Sequence, residues 1–112
     1  MKLRSIQLLV SKDGGIIMGK GRMDILASID QTGSINKTAK ALNMSYKSVW
    51  SKIKSTEKNY GEPVVVSDKI AGTRLTEAGW FLLESYRKLN RDCMKADDAI
   101  FDRIFNTTPN SK

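Results

Sequence analysis

A chain of 112 residues, 40% of them apolar, is long enough for one domain with a modest hydrophobic core. It contains no histidine, the side chain that most often acts as a general base or binds a metal. Its single cysteine, Cys93, excludes an internal disulfide and indicates a reducing, cytoplasmic location. The composition therefore argues against an enzyme, a metal protein and a disulfide-bonded secreted domain.

The net charge of +7 is not spread evenly along the chain. Residues 34–60 contain six lysines and one acidic residue, Glu57, whereas residues 76–112 contain six basic and six acidic side chains. A positive excess confined to one segment is typical of a surface that binds a polyanion such as nucleic acid. The sequence therefore places the candidate functional surface in the basic segment.

The N-terminal part of the chain predicts a β-hairpin followed by a helix. Residues 2–10 predict a strand from alternating apolar side chains, residues 13–15 (Asp-Gly-Gly) predict a turn, and residues 16–18 (Ile-Ile-Met) predict the returning strand. Apolar residues at helical spacing then predict a helix over residues 22–30, which ends near Gly33.

Two further helices, over residues 35–42 and 45–59, form the strongest motif in the sequence. Ala39 supplies the small residue needed where the two helices cross, and Asn43 tolerates the left-handed backbone of the tight turn between them. This pattern predicts a helix-turn-helix whose second helix enters the DNA major groove, and an ordinary helical hairpin is the alternative. The predicted N-caps are Ser34 and Ser45, and the residues predicted to fill the wedge between the helices are Leu42, Met44, Val49 and Ile53.

Short β-branched runs after the third helix predict a second hairpin. Residues 64–66 and 73–75 predict its strands, with a turn over residues 68–72, and its size suits the wing of a winged helix-turn-helix. Thr76 is then the predicted N-cap of a long helix that continues to Phe105.

The predicted fold class is mainly α with a small β content. Residues 1–75 are predicted to form a winged helix-turn-helix domain with its N-terminal hairpin, residues 76–106 a long dimerisation helix, and residues 107–112 a flexible polar tail.

The sequence of the motif resembles the DNA-binding domain of the ModE family of molybdate-responsive regulators. The residues that carry this resemblance are Gly33–Ile35, Ala39–Leu42 and Met44–Trp50, with its Ser-Tyr-Lys-Ser-Val-Trp run, together with Gly61–Val65 and Leu75–Gly79, which also match LysR-type regulators. The resemblance covers about residues 2–90, and it implies a winged helix-turn-helix, dimerisation and operator binding.

The chain departs from the ModE pattern in two places. Regulators of that family carry a molybdate-binding region after this domain, and the 112 residues have no room for one, so no cofactor is expected. The resemblance leaves one hypothesis for effector binding, in which molybdate or another oxyanion binds directly to the dimer. The glycine-rich wing of the family is replaced by residues 67–72, where Lys69 and the nearby Arg74 are still expected to reach phosphate.

The third predicted helix has one polar, basic face, because Lys47, Ser51, Lys54 and Lys58 follow steps of four, three and four. The start of a recognition helix lies nearest the base edges. The DNA contacts predicted there are Ser45, Tyr46, Lys47, Ser48 and Ser51. The predicted phosphate contacts are Lys52, Lys54 and Lys58, with Ser34 and Lys37 at the second helix. Trp50 flanks the apolar stripe and is predicted to be a core residue.

The long last helix has an apolar seam with heptad spacing. The seam consists of Leu82, Tyr86, Leu89, Cys93, Ala96 and Ile100. Its simplest partner is the same helix of a second subunit, and the alternative is that the helix folds back on its own domain. Trp80, Phe81 and Leu83 form a second apolar side that is expected to pack on the winged domain.

These features predict a cytoplasmic, bacterial, non-enzymatic transcription regulator that binds a roughly palindromic operator in double-stranded DNA as a homodimer. Two other hypotheses use the same fold. An architectural protein of low sequence specificity would need the same lysines, and an adaptor would bind a protein partner through the winged domain.

Overall fold

The computed structural model describes residues 1–106, so the predicted tail over residues 107–112 lies outside the described residues. The elements in chain order are β1 (Leu9–Val10), β2 (Ile16–Met18), α1 (Lys20–Thr32), α2 (Ile35–Ala41), α3 (Tyr46–Tyr60), β3 (Val65–Asp68), β4 (Gly72–Leu75) and α4 (Glu77–Phe105). No helix within the described part of the chain is long and apolar enough to cross a membrane. The mainly helical fold with two small hairpins confirms the predicted class.

Local side-chain chemistry sets where three of the helices begin. Ser34, Ser45 and Thr76 are the N-caps of α2, α3 and α4, and each side-chain oxygen accepts a hydrogen bond of 3.0 Å from the backbone N–H three residues later. Asn43, between α2 and α3, has a φ of 55°, which is the left-handed conformation predicted for this tight turn. These local predictions are confirmed.

The hydrophobic core lies between α1, α2, α3 and the first turns of α4. Its buried side chains include Ile25, Ile29, Ile35, Ala39, Val49, Ile53, Leu82 and Leu83. Leu42 and Met44, predicted for the wedge of the helix-turn-helix, pack against this core but stay partly exposed. One core therefore holds the two helices of the motif and the base of the long helix together.

The predicted strand over residues 2–10 is wrong for residues 2–8. Only Leu9 and Val10 pair with β2, across an irregular register. Residues 1–8, called here the N-terminal segment, make side-chain hydrogen bonds to α4 instead. The Tyr86 hydroxyl donates to the Gln7 carbonyl at 2.6 Å, and Ser5 donates to the Asp97 carboxylate. The alternating pattern describes an extended segment correctly, but a helix supplies its partner.

The hairpin β1–β2 is fixed to the second half of α3. Arg22 donates to the Ile16 carbonyl at 2.8 Å and to the Thr56 hydroxyl at 3.1 Å, and burial lowers the pKa of Arg22. Thr56 in turn donates to the Ile17 carbonyl at 2.9 Å, and Asn59 donates to Ile16 at 2.8 Å. The hairpin therefore restrains α3 from one side.

The wing consists of β3 and β4, which pair in a regular antiparallel register from Val65 opposite Leu75 to Asp68 opposite Gly72. The Asp68 carboxylate accepts hydrogen bonds from the backbone of Ala71 and Ile70, which lower its pKa and close the turn. The strands are longer than predicted, so the tip is reduced to residues 69–71.

Two parts of the prediction for α4 are wrong. Trp80 and Phe81 were expected to pack on the winged domain, but they are 45% and 64% exposed, and only Leu83 of that group is buried. Leu82 and Tyr86, predicted for the dimer seam, are buried within their own protomer at 4% and 1% exposure. The winged domain and the N-terminal segment together cover that side of α4. The part of the predicted seam that remains available to a second subunit therefore begins at Leu89.

Replacing Tyr86 by phenylalanine is expected to lower the free energy of unfolding by about 1 kcal/mol, since it removes a hydrogen bond made away from water. Burial raises the pKa of Tyr86 above its ordinary 10.0, so the neutral form stabilises the fold below about pH 10 and this contribution is lost at higher pH. Urea unfolding between pH 7 and 11 should show an added alkaline loss of stability in the wild type that Tyr86→Phe lacks. Tyr46→Phe, at an exposed tyrosine, should behave as the wild type.

Candidate nucleic-acid interface

One face of α3 is basic and open to solvent. Lys47, Ser51, Lys54 and Lys58 are all exposed and lie on the side of the helix opposite the buried Val49 and Ile53. The nearest acidic side chain, Glu57, is only 14% exposed and lies beside Lys54 at the edge of this face. The predicted amphipathic arrangement is present in the structure, and it presents N–H and O–H donors outward.

The first turn of α3 combines structural and exposed polar groups. The Ser45 oxygen accepts the N-cap hydrogen bond from the Ser48 backbone N–H at 3.0 Å, which leaves its hydroxyl hydrogen free to donate. Tyr46 is 48% exposed, and Lys47 beside it is exposed. The structure thus brings Ser45, Tyr46 and Lys47 to one end of the basic face, where base contacts are predicted.

The start of α2 offers a second group of the predicted contacts. The Ser34 oxygen accepts a hydrogen bond from the Lys37 backbone N–H at 3.0 Å, so its first role is to cap this helix. The Lys37 side chain is exposed. On the wing, Lys69 lies at the exposed tip and Arg74 points outward from β4.

Trp50 does not lie in the core, and that prediction is wrong. Its side chain is 38% exposed, and the Lys54 ammonium lies 4.4 Å from the centre of its ring. Val49 and Ile53 already fill the core side of α3, so the indole lies at the edge of the helix and its face meets the lysine one turn later. The i, i+4 spacing of an aromatic residue and a lysine is the signal that would have indicated this pair.

Glu57, the one acidic residue of the basic segment, has a structural role that sequence reasoning missed. One of its oxygens lies 3.1 Å from the Lys54 ammonium. The other accepts hydrogen bonds from the backbone N–H groups of Val64 and Val65, at 2.8 and 3.3 Å. Glu57 therefore joins α3 to the first strand of the wing, and its charge faces that junction.

A helix-turn-helix with a basic, exposed second helix and a two-stranded wing defines the winged helix-turn-helix class of domains. Residues 21–80 match the family model described as bacterial regulatory helix-turn-helix protein, lysR family. The chain therefore belongs to the LysR family of bacterial regulatory helix-turn-helix proteins.

Curated relatives confirm the resemblance to ModE. The chain is 30% identical over 106 residues to the molybdenum transport protein ModE of Azotobacter vinelandii, a match that covers 91% of this chain and 39% of that protein. It is 32% identical over 95 residues to the transcriptional regulator ModE of Haemophilus influenzae, covering 81% of this chain and 37% of that protein. The chain thus spans less than two fifths of the length of these relatives.

Solved structures confirm the fold. A crystal structure of the CbnR DNA-binding domain with DNA matches with a TM-score of 0.64 and 20% identity, over 78% of this chain and 99% of that chain. The full-length LysR-type regulator LysG of Corynebacterium glutamicum matches with a TM-score of 0.56 and 26% identity, over 75% of this chain and 29% of that chain.

Proposed function

We propose that this protein is a DNA-binding transcription regulator that places α3 in the major groove of an operator. The observation that carries the proposal is the exposed face of α3, which combines lysine and serine side chains and begins at a capped N-terminus. The names of the relatives, a transcriptional regulator and a domain bound to DNA, support it.

The contacts divide into two kinds by their position on the domain. Tyr46, Lys47, Ser48 and Ser51 lie at the start of α3, where a recognition helix approaches base edges. Lys52, Lys54 and Lys58 follow along α3, and Ser34, Lys37, Lys69 and Arg74 flank it. These residues bind backbone phosphates, which fix the position of the domain on DNA without specifying the sequence.

The active form is a homodimer joined through α4. The N-terminal segment is hydrogen-bonded to α4 at Tyr86 and Asp97, whereas Leu89, Cys93, Ala96 and Ile100 lie along one side of the helix. Leu89 and Ile100 are exposed, so this apolar side lacks a partner within the protomer. A two-fold dimer fits an operator with half-sites about 34 Å apart, or a multiple of that distance.

Selection of genomic fragments by the purified protein, followed by fluorescence anisotropy at physiological salt, tests the function. A selected palindromic site should bind at least about 10³-fold more tightly than a scrambled copy. Lys47→Ala should weaken operator binding by about 10-fold or more, whereas Lys95→Ala, which removes the same charge from α4, should have little effect.

The other outcomes of this experiment identify the rival functions. Equal affinity for the operator and its scrambled copy would show a low-specificity architectural protein. No affinity for either DNA would contradict a nucleic-acid function and favour a protein-binding adaptor.

A further inference from the structure

Trp50, Lys54 and Glu57 form a connected group on α3 that extends beyond the simple basic face. Their spacing of four and three residues places them on one ridge of the helix. The Lys54 ammonium lies 4.4 Å from the centre of the Trp50 ring and 3.1 Å from a Glu57 oxygen. Both contacts act on the same ammonium group, so its position is set from two sides.

The Glu57 carboxylate is itself held in place. Its second oxygen accepts the backbone N–H groups of Val64 and Val65, and its side chain is only 14% exposed. The two backbone N–H groups bind one carboxylate oxygen and leave the other for Lys54, so Glu57 orients the ammonium through a single charge-assisted contact. An ammonium has three N–H groups, so at least one remains for a further anion after the contacts with Glu57 and the Trp50 ring.

We propose that these three residues form one phosphate-binding unit, in which Lys54 binds a DNA backbone phosphate and Trp50 and Glu57 are its positioning residues. This inference rests on the proposed DNA-binding function and assigns a role to Trp50, an exposed aromatic side chain that the amphipathic pattern of α3 does not explain. A lysine that is ordered before binding loses less side-chain entropy when it meets the phosphate than a freely moving lysine does.

The first test is a double-mutant cycle measured by anisotropy on the selected operator. Lys54→Ala should weaken binding about 10-fold and reduce the slope of log affinity against log salt by about 0.9, as expected for one lost phosphate contact. Trp50→Leu should weaken binding about 3-fold, because the ring contact is lost while the charge remains. The double variant should bind about as weakly as Lys54→Ala alone, and Trp50→Phe should restore part of the loss.

Lys58 provides the matched control, since it lies on the same face one turn later. Lys58→Ala should weaken binding by the same factor in the wild type and in Trp50→Leu. Both altered side chains of the cycle are exposed, and melting temperatures of the variants verify that they fold.

The second test uses the fluorescence of Trp50 in a Trp80→Phe background. Operator binding should reduce quenching of Trp50 by iodide, because the phosphate and the lysine cover the ring. Independent losses for Trp50→Leu and Lys54→Ala, with unchanged quenching and intact operator binding, would overturn the unit and leave the proposed function standing. A wild-type protein that binds no DNA would overturn both.

Discussion

Replacing Leu89 and Ile100 together by aspartate is expected to convert the dimer to a monomer and to weaken operator binding by at least about 100-fold. Two linked half-sites bind with an effective concentration that a monomer lacks, which is the reason for the large loss. The two carboxylates would also be left without partners in an apolar interface. Leu89 and Ile100 are 38% and 44% exposed in the protomer, so the change should leave the monomer folded. Analytical ultracentrifugation and anisotropy measure the two effects.

Lys95→Asp is the matched control for this double variant. It changes the net charge by the same amount on the same helix, at an exposed position off the apolar seam. It should remain a dimer and bind the operator within a few-fold of the wild type. A dimeric Leu89→Asp/Ile100→Asp protein would contradict the seam, and a monomer that binds as tightly as the wild type would contradict the need for dimerisation.

Gly79→Ala is expected to lower the free energy of unfolding by about 1–3 kcal/mol. A Cβ at this position would overlap the carbonyl oxygen of Val64. That carbonyl cannot move away freely, because it accepts a hydrogen bond of 3.0 Å from the Thr76 backbone N–H and Val64 is fully buried. The clash therefore outweighs the gain of up to about 1 kcal/mol that alanine normally brings to a helix. Urea unfolding at neutral pH measures the change.

Gly21→Ala gives the opposite sign and serves as the control. Gly21 lies in the first turn of α1, is exposed, and has no atom within 4 Å of the position that a Cβ would take. Alanine there should raise the free energy of unfolding by up to about 1 kcal/mol. If both substitutions stabilise the protein, the close approach of α4 to Val64 does not exist in solution.

The sequence was sufficient to predict those features of the fold and site that depend on neighbouring residues alone. The starts of α2, α3 and α4 depend on single capping side chains, and the turn at Asn43 depends on the one residue that accepts its backbone conformation. The basic face of α3 follows from spacing along one helix. These features need no information about distant parts of the chain.

The sequence was insufficient where a distant element decides the environment. Alternating apolar residues predicted a long first strand, but the hydroxyl of Tyr86 takes the Gln7 carbonyl and α4 becomes the partner. Trp50 was placed in the core because it flanks an apolar stripe. In the structure Val49 and Ile53 occupy the core side of α3, and the indole lies at the edge of the helix. No sequence pattern indicated the role of Glu57, because its backbone partners, Val64 and Val65, lie at the start of the wing.

The close contact of Gly79 with Val64 also fixes the base of α4 against the residue that precedes the first strand of the wing. From Gly79 to Ile100 the helix axis is about 32 Å long, so a tilt of about 5° at its base displaces the far end by about 3 Å. In the proposed dimer, joined at the distal half of α4, that displacement would move each winged domain by nearly the rise of one base pair. The contact at Gly79 would then set which operator spacing the two recognition helices reach together, although it touches no DNA.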